Sequence, residues 1–167
     1  MSAPELETER LTLEPLAVAA ADEMADVLAS PTLYEHTGGT PPDRPTLQRR
    51  YALQAAGWSP DRSQRWLNWI VRLRESGAAV GYVQATLTVA SGVADVAWVV
   101  GADFQRRGYA TEATTAMVDW LRSQPEVRRI TAHIAPANAA SQAVARHVGF
   151  SPTDVVEREE TAWECPL

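Results

Sequence analysis

An α/β fold, with helices flanking a mixed and mostly antiparallel central sheet, follows from three observations. Alternating apolar segments joined by tight turns mark antiparallel strands in the middle of the chain. One strand–loop–helix–strand unit follows, which requires a parallel pair and a right-handed crossover. Finally, 46% hydrophobic and 22% charged residues in a chain of 167 suit one ordinary globular domain.

The elements read in order as follows. Leu11 and Leu13 alternate with Thr12 and Glu14 in a short first strand. Pro15 suits the first turn of a helix whose apolar face is Leu16, Ala20, Met24, Val27 and Leu28, ended by Ser30-Pro31. Gly38-Gly39, Pro41-Pro42 and Pro45 mark loops before a second helix over Thr46–Ala56, with Leu47, Tyr51 and Leu53 inward. Leu67, Trp69, Val71 and Leu73 alternate with Asn68, Ile70, Arg72 and Arg74 in a strand, with Trp66 and Trp69 expected in the core. Ser76-Gly77 turns into a strand over Val80–Thr88, and Ser91-Gly92 turns into Val93–Val100. The closing run VAWVV suits a strand buried on both faces. Gly101–Gly108 is a loop, and Tyr109–Ser123 carries a helical apolar face through Ala113, Ala116, Met117, Trp120 and Leu121. Pro125 stops that helix, and Arg129–Ile134 is the next strand. Asn138 is a good N-cap for a helix ending at Gly149, and Thr161–Cys165 is the last strand.

Charge and composition exclude several functions. The net charge of -6 argues against a general nucleic-acid binder. All fifteen basic residues are Arg, so neither a Schiff-base Lys nor a P-loop Lys exists. His36, His133 and His147 are widely separated and show no metal-ligand spacing, so no metal is expected. Cys165 has no partner for a disulfide, which fits a reducing cytoplasm. No apolar run approaches the ~20 residues of a membrane span. Glu5, Glu7 and Glu9 stand where a signal peptide needs basic and then apolar residues, so export by that route is not expected.

Gln105-Arg106-Arg107-Gly108-Tyr109-Ala110 lies between a buried strand and an amphipathic helix. A helix start offers unpaired N–H groups and the positive end of the dipole, and Gly108 removes a side chain that would block a phosphate. The same residues also read as a solvated basic turn. A second segment, Asn138-Ala-Ala-Ser141 followed by Arg146-His147-Val148-Gly149-Phe150, separates the two readings. Together with Glu112 in GYATEA, the two motifs resemble the GNAT superfamily of N-acetyltransferases. They are most similar to the branch that includes the ribosomal-protein N-terminal acetyltransferases. The resemblance covers roughly residues 7 to 156.

The resemblance implies acetyl-CoA as co-substrate, with its pyrophosphate on backbone N–H groups between Arg106 and Thr111. It also implies that the parallel strands splay, with the pantetheine arm between Trp98-Val99-Val100 and Arg129–Ile134. Asn138 looks like the family's cofactor-contacting Asn and is equally a helix cap. Asp95 takes the position where relatives often carry an acid. On strand alternation it shares a face with Val93, Ala97 and Val99, where apolar neighbours would make it a better base. A solvated Asp near a strand start, with water relaying the proton, is the other reading. The tyrosine that many members place four residues before the Gly of the terminal G-F is Ala145 here. Ser141 is then the candidate to protonate the thiolate, or a helix-start hydroxyl without a chemical role. Glu112 reads as a favourable first-turn charge, and Tyr109 as packing.

The acceptor is expected between Thr32 and Arg65, with Tyr34, His36 and Tyr51 as lining residues. It is a small-molecule amine or a protein N-terminus. Transfer is expected to be direct, because no activated Cys or Ser–His pair is visible. A non-catalytic CoA-binding module and a cofactor-free interaction domain are the rival readings.

Overall fold

A computed structural model describes residues 1–167. Eight strands form one sheet in the order β1-β2-β3-β4-β5-β6-β8-β7. They are β1 (Leu6–Glu7), β2 (Leu11–Pro15), β3 (Gln64–Leu73), β4 (Ala79–Thr88), β5 (Val93–Val100), β6 (Arg129–Ile134), β7 (Ser151–Glu157) and β8 (Glu160–Cys165). Every neighbouring pair is antiparallel except β5 and β6, which are parallel.

Four α-helices cover the two faces: α1 (Ala21–Val27), α2 (Arg44–Gln54), α3 (Tyr109–Arg122) and α4 (Ala139–Val148). The larger core lies under α3 and α4. Ala113, Met117, Val118 and Leu121 of α3 meet Leu13, Trp69, Val83, Val96 and Ile130 there. Trp120 packs its ring edge-on to Trp69 at 5.6 Å, and the Trp69 Nε1–H donates to the Pro4 carbonyl. The smaller core lies on the other face, where Met24, Leu47 and Tyr51 pack on Ile70 and Ala79.

The helix boundaries have local causes. Asp43 caps α2 by accepting from the Thr46 amide at 2.8 Å, with Pro45 in the first turn. Asn138 caps α4 in the same way, and Gly149 closes it at φ 108°.

Some sequence expectations need correction. Pro15 ends β2 opposite Trp69, and a 3₁₀ turn at Val18–Ala20 leads into α1. The ladder claims Pro15 because it sits at a strand end, where its missing N–H costs nothing. Leu53 is 65% exposed, since it falls on the far side of α2 from Leu47 and Tyr51. Tyr51 itself is buried in the smaller core, so it lines no surface pocket. Trp66 is half-buried in a surface groove with Met1 and Trp58 rather than in the core. β7 is an additional strand, paired with β8 as a terminal hairpin. No helix is long and apolar enough to cross a membrane.

Candidate active site

The site begins where β5 and β6 part. Their register runs Val93–Arg129, Ala94–Ile130 and Asp95–Thr131, and stops there. β5 nevertheless continues to Val100 on β4, and β6 continues to Ile134 on β8. The two strands therefore present backbone edges to each other without pairing over Val96–Val100. Because they are parallel, the helices that follow them both start at this open end. α3 begins after Gly108 and α4 after Asn138. Two helix N-termini and an unpaired strand edge thus converge on one opening.

The loop at its mouth is shaped to receive an anion. No backbone N–H from Gln105 through Thr111 donates a hydrogen bond within the chain; the first helical bond is Glu112 N–H to the Gly108 carbonyl. Arg106 and Gly108 take left-handed φ values of 63° and 81°. Left-handed residues alternating along a turn point successive N–H groups to a common concavity. Gly108 is needed for its conformation, since a side chain there would be strained at that φ.

The other predicted residues are distributed as follows. Gln105 spends its side-chain amide on the Val100 carbonyl at 3.0 Å, tying the loop to the strand end. Arg106 and Arg107 are exposed. Trp98 turns to the larger core and packs beside Phe150, while Val99 turns to the smaller core. Tyr109 packs against the larger core under the Arg10 guanidinium, 4.7 Å from its ring centroid. Ala110 and Thr111 complete the first turn of α3. Asn138 Oδ1 accepts from the Ser141 amide at 3.1 Å, so its capping role is present. The Ser141 hydroxyl and the Asn138 side-chain N–H groups bond to nothing else in the chain.

Two residues that sequence reasoning missed hold this geometry. Arg10 donates through Nη1 to the Arg107 carbonyl at 2.8 Å and through Nε to Glu112 at 2.7 Å. Glu112 also accepts from the Thr8 hydroxyl and the Arg10 amide at 2.6 and 2.9 Å. Burial pushes the Glu112 carboxyl up, and these hydrogen bonds outweigh it and hold the group below the usual glutamate range. Gly81 is the other. A Cβ there would lie 2.1 Å from the Val99 carbonyl oxygen, so only glycine lets β4 and β5 approach so closely. A lone glycine inside an apolar strand was the available signal.

Asp95 is not in the apolar setting expected from alternation. Its Oδ1 accepts from the Thr131 hydroxyl at 3.0 Å and lies 2.9 Å from His133 Nδ1, and its side chain is half exposed. Thr131 and His133 occupy the β6 face opposite Ile130, Ala132 and Ile134, which is why polar groups surround it. On the same face of the sheet, Leu16, Arg50, Gln54, Asn68, Tyr82 and Gln84 line a cavity of about 240 Å³. Asn68 and Gln84 are in register, and Gln84 is in register with Ala97, so its floor continues toward the opening. Tyr34 gives its hydroxyl to the Leu28 carbonyl at 3.0 Å, and His36 is exposed. Neither lines that cavity.

Comparisons with known proteins agree with this architecture. Residues 10–151 match the family model described as an acetyltransferase (GNAT) domain. An acetyltransferase from Agrobacterium tumefaciens str. C58 superposes with a TM-score of 0.79 at 28% identity, over 100% of this chain and 96% of that one. A candidate ribosomal-protein-serine acetyltransferase from Vibrio cholerae gives 0.73 at 21%, over 98% and 96%. AAC(6')-Ib in complex with paromomycin and acetyl-CoA gives 0.75 at 21%, over 93% and 92%. These last two share the fold. No curated protein matches the chain in sequence.

Proposed function

The chain belongs to the GNAT acetyltransferase family, and from that premise we propose that it moves an acetyl group from acetyl-CoA directly to a primary amine. The observation that carries the proposal is the early end of the β5–β6 ladder at Asp95–Thr131, below a loop of seven unpaired amides. A strand edge left open between two helix starts suits an extended amide-bearing arm, and the loop suits its diphosphate. The absence of a Cβ at Gly108 and the left-handed turns fit the close approach that a diphosphate needs.

In this reading the amides from Arg106 to Thr111 hold the pyrophosphate, with Arg106 and Arg107 adding positive charge at its edge. The edges of Trp98, Val99 and Val100 receive the pantetheine arm, and Asn138 contacts it while capping α4. Main-chain N–H near Val99 polarises the thioester carbonyl. Asp95 is the carboxylate that drives removal of the amine proton. Ser141, in the first turn of α4 with an unengaged hydroxyl, returns a proton to the thiolate, helped by the helix-start amides.

The acceptor enters on the α1–α2 face, over the Asn68–Gln84 cavity. A protein N-terminus, as in the ribosomal-protein branch, and a small-molecule amine both suit an opening on that face. The whole chain works as one N-acetyltransferase domain, and a lone buried thiol is compatible with the cytoplasm.

The test is free-thiol release from acetyl-CoA across a panel of amines and N-terminal peptides, with product masses, beside calorimetric titration of CoA. Turnover with a mass gain of one acetyl group is expected. CoA binding without turnover on any amine would leave a binding module, and no CoA binding would remove the proposal.

A further inference from the structure

The face of the β5–β6 pair that looks toward α1 and α2 holds a histidine that the reading above does not use. Asp95 is the last β5 residue in register with β6, opposite Thr131. His133 stands two residues further along β6, on the same face, in the half where the strands have separated. Its ring turns back across the gap to Asp95, with Nδ1 2.9 Å from Oδ1. Its Nε2 lies 3.5 Å from Glu157 Oε2, which the terminal hairpin brings from β7. The ring is 26% exposed, against 49% for Asp95 and 65% for Glu157.

An ionised carboxylate accepts hydrogen bonds and donates none, so Nδ1 carries a proton whether the ring is neutral or charged. The neutral ring therefore holds its lone pair on Nε2, on the side where Glu157 approaches. When Nε2 gains a proton, both ring N–H groups face carboxylates, Asp95 on one side and Glu157 on the other. The groups facing the ring are Asp95 from β5, Thr131 from its own strand and Glu157 from β7. Glu164 of β8, opposite Thr131, is already paired with Arg129 at 3.1 Å. No group of three or more His, Cys, Asp and Glu side chains is placed to hold a metal ion.

We infer that His133 is the group that accepts the amine proton, with Asp95 as the residue that orients and supports it. The inference rests on the acetyl-transfer reading and assigns its base. The acceptor arrives as an ammonium ion, and Nε2 takes one of its protons. The freed lone pair forms the C–N bond to the thioester carbon, and the C–S bond breaks. The second nitrogen proton reaches the thiolate by way of the Ser141 hydroxyl, and His133 releases its own to water. The products are the amide, free CoA thiol and one proton, which balances the reaction.

The experiment uses the full chain, an amine that the wild type acetylates, and the variants His133→Gln, His133→Ala and Asp95→Asn. The rate is followed from about pH 5 to 9, where a histidine titrates. His133→Gln is expected to lose about 100-fold in kcat, with CoA affinity within about twofold of wild type. Its rate should also lose the rising limb of the pH profile, and added imidazole should restore part of the activity of His133→Ala. Asp95→Asn should keep the limb and lower kcat by less than His133→Gln does. Imidazole nitrogen NMR of the wild type, which needs no substrate and no variant, should show the neutral ring protonated on Nδ1. A ring protonated on Nε2, or turnover and pH profile unchanged in His133→Gln, overturns the inference alone. A wild type that binds CoA and acetylates no amine overturns the acetyl-transfer reading and this inference with it.

Discussion

Glu112 carries more of the proposed cofactor site than a first-turn charge normally would. One carboxylate accepts from the Thr8 hydroxyl, the Arg10 amide and the Arg10 guanidinium, and the same guanidinium steadies the Arg107 carbonyl. The bend between β1 and β2 is thereby tied to a loop about a hundred residues away, and loop order depends on a charge. Hydrogen bonds to charged groups are worth about 1.5–3 kcal/mol. Replacing Glu112 with Gln should therefore weaken CoA binding roughly tenfold or more by calorimetry. The thermal midpoint should fall by only a few degrees, and unchanged affinity would remove the brace from the argument. The pH dependence has a definite sign. The folded carboxyl lies below its unfolded value, so its stabilising contribution is complete above the usual glutamate range and is lost as pH falls through the folded value. Acid denaturation of Glu112→Gln should accordingly be shallower than wild type below about pH 4.3.

The strand pair β4–β5 depends on its own close contact. Gly81 faces Val100 across the ladder, and no Cβ fits between it and the Val99 carbonyl. The contact lies at the end of β5 that has left β6, so it fixes the strand edge proposed to receive the pantetheine arm. Gly81→Ala should cost about 1–3 kcal/mol in denaturant unfolding, because the backbones must separate. It should also raise the KM for acetyl-CoA. A variant of wild-type stability would show that β4 yields freely at this point. The helix α4 has a simpler logic, since Asn138 closes its first turn and Gly149 its last. Both are local devices, which is why both were readable along the chain.

Across the whole molecule, the sheet opens where its one parallel pair, β5 and β6, parts. Hydrogen exchange should reveal it. Alternate amides over Val96–Val100 and those over Gln105–Thr111 are expected to exchange rapidly in the free protein and to slow when CoA is added. An exchange pattern that CoA leaves unaltered would deny that the ligand occupies this opening. Much of the architecture was legible because its signals are short-range. Alternation marked β3, β4 and β5, helical spacing marked α3, and the glycine and asparagine at helix ends marked α4. β7 gave no such signal, since SPTDVVE is an exposed edge strand with no buried face to impose alternation. Leu53 was misplaced because hydrophobicity was read without its angle around α2.

Local pattern settled the order of the elements, the crossover between β5 and β6, and the glycine turn that aims amides outward, because each depends on residues a few positions apart. Folding in three dimensions settled what surrounds each reactive group. Asp95 meets Thr131 and His133 instead of apolar side chains, and Arg10 reaches Glu112, because β6 and the β1–β2 bend are brought there by packing. The strength and direction of a proton's affinity depend on neighbours within a few ångströms, and those neighbours lie tens of residues away along the chain.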